Sequence, residues 1–164
     1  MGYTHYFAFA PQAPSFRTAR LQLALDAGAI VKLIERTQEI RIAGGSGAGA
    51  PLISEDAIVF NGLAALDEGY ETFAIDMDAQ GPDVVTAFCK TGSTAGRPYD
   101  IAVTAVLLRA HTLAPRAFAI DSDGVWDEDW LYARAIHKML FGDPGMRCPF
   151  TRNLTVPDSL PALM

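Results

Sequence analysis

Cysteine is scarce in this chain: Cys89 and Cys148 are the only two among 164 residues. Two cysteines cannot build a disulfide scaffold or a cysteine-rich zinc site, so we expect a reduced, cytoplasmic protein. For Cys89, which sits at the end of an apolar segment, the simpler interpretation is a small buried hydrophobic residue. A reactive thiol at this position is the alternative.

Long apolar runs are missing as well. No stretch approaches the roughly 18 consecutive apolar residues that a membrane span needs. The first residues, MGYTHYFAFA, lack the basic region that opens a signal peptide and alternate like a strand. We therefore expect neither a membrane segment nor a signal peptide.

Positive charge is in short supply. Lys and Arg total 13 against 19 Asp and Glu, which gives a formal net charge of −6. This balance argues against a surface that neutralises nucleic-acid phosphates, although it leaves room for a small basic site. It also allows an acidic surface that docks on a basic partner protein.

Turn residues and hydrophobic periodicity divide the chain into short elements. They predict strands at 3–9, 40–43, 57–61, 72–77, 84–90 and 117–120. Helices are expected at 17–38, with Ser15 as its cap, at 99–112 behind Pro98, and along the stripe from Trp126 to Leu140. The apolar stripe predicted for the first helix contains Leu21, Leu25, Ile30, Leu33 and Ile34. Gly28 weakens the first helix and could divide it.

This order of elements indicates an α+β fold. We expect a single, mostly antiparallel sheet with about three helices on one face. Residues 1–142 would form one domain, and residues 143–164 an extended, proline-rich tail that Phe150 and Leu154 partly pack.

The segment FCKTGSTAGRPYD places small and cationic residues before a helix start. Helix starts leave backbone N–H groups unpaired and carry partial positive charge, so small residues there let an anion approach. Lys90 and Arg97 would add charge, and Thr91, Ser93 and Thr94 would add hydroxyl donors. The segment therefore predicts a phosphate or carboxylate site. A solvated loop explains the same composition without any ligand.

Two other segments have alternative interpretations. GGSGAG, from Gly44 to Gly49, lacks the context of a dinucleotide loop and fits a flexible hairpin tip or lid better. DSDGVWDED, from Asp121 to Asp129, could hold a divalent metal, but a turn followed by an acidic helix start explains it more simply. We expect no metal and no cofactor.

Proton transfer has two candidates in the sequence. His5 is flanked by Tyr3 and Tyr6 on the first strand and could act as a general acid or base. Glu71, at the head of the fourth strand, is a carboxylate that could partner it. A hydrogen-bonded histidine at a sheet surface is the simpler alternative.

A set of short motifs resembles a family of small uncharacterised proteins from bacteria and their phages. In order, the matching pieces are GYTHYF, FNG, ETF, FCKT, PYD and SDG with a following tryptophan. The resemblance implies relatives and no activity. In that family the segment between FCKT and PYD is shorter and more basic, whereas here Arg97 is its only cation.

Polar residues of these motifs fall at strand ends and helix starts, and we expect them to line one pocket. The candidates for ligand binding are Tyr3, Asn61, Lys90, Thr91, Ser93, Thr94, Arg97, Tyr99, Asp100 and Asp123, and those for proton transfer are His5 and Glu71.

Two functions follow from these observations. The first is binding, with or without turnover, of a small anionic, nucleotide-like molecule at one end of the sheet. The second is a phage accessory or anti-defence protein that binds a host protein, with Trp126 and Trp130 as interface anchors. Burial of both tryptophans within the monomer would remove the main support for this second function.

Overall fold

The computed structural model describes residues 2–159, and within them strands and helices combine in an α+β fold, as the sequence predicts. In chain order the elements are β1 (Tyr3–Phe9), α1 (Pro14–Gln38), β2 (Ile42–Ala43), β3 (Leu52–Ile53), β4 (Ala57–Gly62), β5 (Phe73–Asp76), β6 (Val85–Gly92), α2 (Asp100–Leu113), β7 (Phe118–Ser122) and α3 (Leu131–Phe141). Short 3-10 turns occur at Ala64–Leu66 and Pro157–Ser159.

The strands form two sheets, where the sequence predicts one. The first sheet has the order β6-β1-β7 and is antiparallel throughout. In the second sheet, β4 pairs with β2, β3 and β5, also antiparallel. The sheets are separate because β5 does not form a ladder with β6. Among the described residues between β4 and β6, Glu71, two residues before β5, is the one that bonds to the backbone of β6.

One face of the first sheet meets all three helices. On β1, His5, Phe7 and Phe9 share this face because alternate strand residues point the same way. Phe9 packs against Phe16 of α1. His5 contacts Asp100 at the start of α2 and Trp130 at the start of α3.

Helix α1 differs from its predicted form at several points. Ala13 occupies the N-cap without a side-chain cap, so the predicted Ser15 cap is wrong; Pro14 opens the helix instead. Gly28 does not divide the helix, which runs unbroken to Gln38. The buried stripe contains Leu23, Ala27, Ile30 and Ile34, while Leu21 and Leu25 face solvent.

The predicted tail packs against the domain over the part that the structure describes. Phe150 forms a parallel bridge with Ile120 of β7, and its ring packs on Trp126 and Trp130. Val156 is buried. Residues 160–164 of the predicted tail lie outside the described residues.

A helix that crosses a membrane must be long and apolar. Among the helices of residues 2–159, none has the length and apolar character to cross a membrane.

Candidate functional site

A cleft lies at the end of the first sheet where β1 begins. It runs between the loop that joins β6 to α2 and the loop that joins β7 to α3 and has a volume of about 500 Å³. A second lobe of about 480 Å³ shares three of its wall residues, Tyr3, Thr94 and Asp123. We call both lobes together the Tyr3 cleft.

The cleft brings together half of the residues that the sequence predicts for a site. Its walls contain Tyr3, Ser93, Thr94, Arg97, Asp100 and Asp123. The walls also contain Glu128, Asp129 and Tyr132, which sequence reasoning did not select. Glu128 and Asp129 belong to the acidic segment DSDGVWDED, which the sequence analysis interprets as a turn and a helix start, whereas Tyr132 lies beyond that segment.

His5 lies directly behind the cleft wall and is completely buried. Its Nε2 atom is 2.5 Å from Oδ1 of Asp100, and the Thr91 hydroxyl donates to the same oxygen at 2.7 Å. Asp100, rather than Glu71, is therefore the carboxylate that partners His5.

The partners of Ser122 determine which nitrogen of His5 carries the proton. Ser122 Oγ accepts hydrogen bonds from the Gly124 N–H at 2.8 Å and from the Trp130 indole N–H at 3.1 Å. Both lone pairs of the hydroxyl are then used, so its proton is donated to His5 Nδ1 at 2.8 Å. Neutral His5 is therefore protonated on Nε2 and donates to Asp100.

This arrangement connects a serine, a histidine and an aspartate, but it does not make Ser122 a nucleophile. A nucleophilic oxygen needs a free lone pair, and both are occupied here. The arrangement instead holds Oδ1 of Asp100 in a fixed position. The other oxygen, Oδ2, has no hydrogen-bond partner within residues 2–159, and Asp100 forms part of the cleft wall.

Tyr3 is the second group that points into the cleft without a partner. Only 8% of the residue is exposed, yet its side chain lines both lobes. Its hydroxyl forms no hydrogen bond to any described residue and lies beside Gly124. The side chain is thus mostly buried while its hydroxyl is accessible from the cleft, so the hydroxyl is free to bond to a ligand group there.

Carboxylates surround the Tyr3 hydroxyl. Burial raises the pKa of the phenol well above its ordinary value. Three neighbouring carboxylates raise that pKa further: those of Asp100, Asp129 and Asp123. The cleft is therefore a region of negative potential, and Tyr3 stays protonated within it.

The two cations of the predicted anion site, Lys90 and Arg97, both lie near the ring of Tyr70. Lys90 Nζ lies 5.7 Å from the ring centroid and Arg97 Cζ lies 5.8 Å from it. Arg97 also donates to the Asp67 backbone carbonyl at 2.6 Å and pairs with its carboxylate at 3.3 Å. Arg97 forms part of the cleft wall, whereas Lys90 does not.

Glu71 connects the two sheets. Its carboxylate accepts the Lys90 N–H at 2.8 Å, and its own N–H donates to the Lys90 carbonyl at 3.1 Å. Tyr99, which is fully buried, donates to the Glu71 carbonyl at 2.5 Å. Glu71 and Tyr99 thus have structural contacts, and the predicted roles in proton transfer and ligand binding stay predictions.

Asn61 is also committed to internal contacts. Its amide donates to the Tyr70 carbonyl at 3.0 Å and accepts the Tyr70 N–H at 3.0 Å. These bonds fold the segment between β4 and β5 and place Tyr70 beside the two cations. Asn61 is not part of the wall of the Tyr3 cleft.

The GGSGAG segment is not part of the cleft walls, whereas the acidic segment contributes Asp123, Glu128 and Asp129 to them. GGSGAG is closed by hydrogen bonds from the Gly44 N–H to the carbonyls of Ala48 and Gly49. Thr72 also donates to the Gly45 carbonyl at 2.5 Å. Across the described residues, no group of three or more His, Cys, Asp or Glu side chains is placed to hold a metal ion.

The fold and cleft define a two-sheet α+β protein with an acid-lined site at a sheet end. Comparison with known proteins gives no match to a family model, a curated protein or a solved structure. The family that the motifs resemble therefore stays a prediction.

Proposed function

We propose that the protein binds a small organic molecule in the Tyr3 cleft through a positively charged amino or guanidinium group of that molecule. The observation that carries this proposal is the Tyr3 hydroxyl. The Tyr3 residue is 8% exposed, its hydroxyl reaches the cleft without a partner within residues 2–159, and the carboxylates of Asp100, Asp129 and Asp123 lie on the same wall. An ammonium or guanidinium group offers several N–H donors and positive charge at one point.

The charge of the walls supports a cationic ligand. Four carboxylates line the main lobe, those of Asp100, Asp123, Glu128 and Asp129, against the single cation Arg97. Asp67 already compensates the charge of Arg97. The anionic, nucleotide-like ligand that the sequence suggests stays a prediction, but the wall would repel it.

Asp100 is the best-positioned acceptor for the ligand. His5 and Thr91 hold its Oδ1, which leaves Oδ2 for a donor in the cleft. Tyr132 adds an exposed aromatic ring to the wall, and cations bind favourably over such rings. The ligand class is therefore an amine or guanidine of moderate size.

A thermal-shift series tests the proposal. The cationic probes are putrescine, spermidine, agmatine and arginine, and the anionic probes are phosphate and AMP. A probe at about 100 times its Kd adds roughly 2.7 kcal/mol to the free energy of unfolding, or a few degrees in Tm. We expect such a shift from at least one cationic probe, weakened by added salt.

Tyr3→Phe is the decisive variant because it removes a hydroxyl without breaking a hydrogen bond within the described residues. It should fold normally and lose most of the shift. Glu55→Gln, which removes one exposed charge from the turn between β3 and β4, is the matched control and should keep the shift. Binding that Tyr3→Phe leaves unchanged would contradict the proposal.

Stabilisation by an anionic probe would contradict the proposal. A shift from AMP or phosphate that is lost in Lys90→Ala/Arg97→Ala would favour the anionic ligand and reject the cationic one. No shift from any of the cationic probes would also count against the proposal.

Binding of a host protein has lost its main sequence argument. Trp126 is 8% exposed and Trp130 is not exposed at all, so both belong to the core with Phe150. An accessory or anti-defence role stays a prediction without a specific observation that favours it.

A further inference from the structure

Strand β6 is an edge of the first sheet, and part of this edge is open. β1 is its only strand neighbour within residues 2–159. Backbone groups along a strand point alternately to its two sides, so half of the N–H and carbonyl groups of β6 point away from β1.

The contacts of Lys90 identify which residues of β6 point their backbone groups away from β1. Both backbone groups of Lys90 bond to Glu71 and therefore point away from β1. By alternation, the backbone groups of Phe88 and Thr86 also point outward. Neither residue has an outward hydrogen-bond partner in the described part of the chain. Unpaired backbone groups must face water or another strand.

The side chains along this edge do nothing to block pairing. Natural edge strands are usually protected by charges, proline or bulges. Residues 84–89, VVTAFC, contain neither charge nor proline. The irregularity in the β1–β6 ladder lies beyond them, at Tyr3 and Thr4. Phe88 is 63% exposed on the sheet face that carries no helix.

We propose that β6 pairs antiparallel with β6 of a second copy of this chain, about a two-fold axis at Ala87. In this register Thr86 of each copy lies opposite Phe88 of the other, and each such pair exchanges two backbone hydrogen bonds. The two three-stranded sheets become one continuous sheet. Each exposed Phe88 ring then packs against the facing Thr86.

Charge selects a second copy over a basic partner strand. The chain carries a net charge of −6, which would generally hold two copies apart. The open edge is where this repulsion is weakest, because residues 84–89 themselves carry no charge. An uncharged strand offers no attraction to a basic strand.

Sedimentation equilibrium of the whole chain tests the proposal. We expect a mass twice the 17.6 kDa of the chain at micromolar concentration. Thr86→Pro removes an outward N–H in each copy but no bond to β1, so it should fold and weaken the dimer about 100-fold or more. Thr86→Ala keeps the N–H and, as matched control, should stay dimeric.

Two further measurements keep the test decisive. Should Thr86→Pro fail to fold, Phe88→Lys places a charge at an exposed position on each side of the axis and should give a monomer. Amide exchange at Thr86 and Phe88 should slow as the concentration of the wild-type protein rises. A monomer at high concentration, or a dimer that survives both variants, overturns the proposal.

Discussion

At the scale of single residues, the site depends on a few polar side chains whose donors and acceptors are occupied by other residues of the protein. Ser122 is the clearest case, since one hydroxyl serves a backbone amide, an indole and an imidazole. His5, oriented by Ser122, bonds to Oδ1 of Asp100 and so fixes the orientation of that carboxylate. The second oxygen of Asp100, Oδ2, is left for the cleft. The orientation of the carboxylate on the cleft wall thus depends on residues that lie behind that wall.

Ser122→Ala should destabilise the protein by about 1–3 kcal/mol. The substitution leaves the Trp130 indole N–H and His5 Nδ1 without their partner, and buried polar groups without partners are costly. Urea unfolding followed by tryptophan fluorescence measures the change. Ser46→Ala, at an exposed position of the GGSGAG loop, should cost less than about 0.5 kcal/mol. Equal costs for both variants would show that the Ser122 contacts contribute little.

At the scale of whole elements, a hydrogen-bonded network of Asp26, Arg109 and His137 connects the three helices. Asp26 of α1 accepts from Arg109 of α2 at 2.7 Å. Arg109 also donates to His137 Nε2 of α3 at 3.1 Å and lies 4.0 Å from the Phe141 ring centroid. The Gly142 carbonyl accepts from His137 Nδ1 at 3.0 Å. Neutral His137 fits these partners, whereas a protonated ring would face the guanidinium with a second positive charge.

Stability should therefore fall as the pH drops below about 6.5, the ordinary histidine pKa. Burial lowers the pKa of His137 and Arg109 lowers it further, although Gly142, Asp26 and Asp143 act in the opposite direction. The unfolded chain then binds a proton before the native one does, and the free energy of unfolding decreases by up to about 1.4 kcal/mol per pH unit.

Urea unfolding between about pH 7 and pH 5.5 measures this dependence, above the range in which ordinary carboxylates titrate. His137→Gln should flatten the curve. His111→Gln, whose ring bonds only to the Phe118 carbonyl, should keep the wild-type slope. A slope that survives in His137→Gln would place the responsible group elsewhere.

At the scale of the whole molecule, burial separates the two cysteines into different chemical classes. Cys89 is buried in the core beside Tyr99, and burial raises the pKa of its thiol to about 12. Cys148, in the segment after α3, is exposed. The interpretation of Cys89 as a small buried residue therefore fits the structure better than a reactive thiol does.

A thiol-labelling experiment follows from this difference. Native protein should react rapidly with one equivalent of a disulfide reagent per chain, and protein unfolded in guanidinium with two. The thiolate is the reactive form, and Cys89 has very little of it in the folded state. Cys148→Ser should leave no rapid reaction in the native protein. Rapid labelling of both thiols in native buffer would contradict the burial of Cys89.

Local patterns determined the elements themselves. Alternation specifies a strand and a stripe specifies a helix within a few residues of sequence, so β1, β4, β5, β6, β7, α1 and α2 were predictable. The third helix was predicted from Trp126, but α3 begins at Leu131 because residues 126–130 form a turn that packs Trp126 and Trp130 against Phe150. The helix stripe of α1 was less reliable, because Leu21 and Leu25 are apolar but lie on its solvent face. Six of the expected site residues line the cleft because strand ends and helix starts gather at one edge.

Only the tertiary structure decided which of these groups face each other, because pairing depends on contacts between distant segments. Asp100 became the partner of His5 across 95 positions of sequence, while Glu71 connects the sheets. Arg97 pairs with Asp67, and Asp100, Asp123 and Asp129 line the cleft with Tyr3, which is the basis of the proposed cationic ligand. The sequence determined the elements and the end of the sheet where the polar residues collect. Only the three-dimensional fold determined that the charged side chains on the cleft wall are mostly acidic.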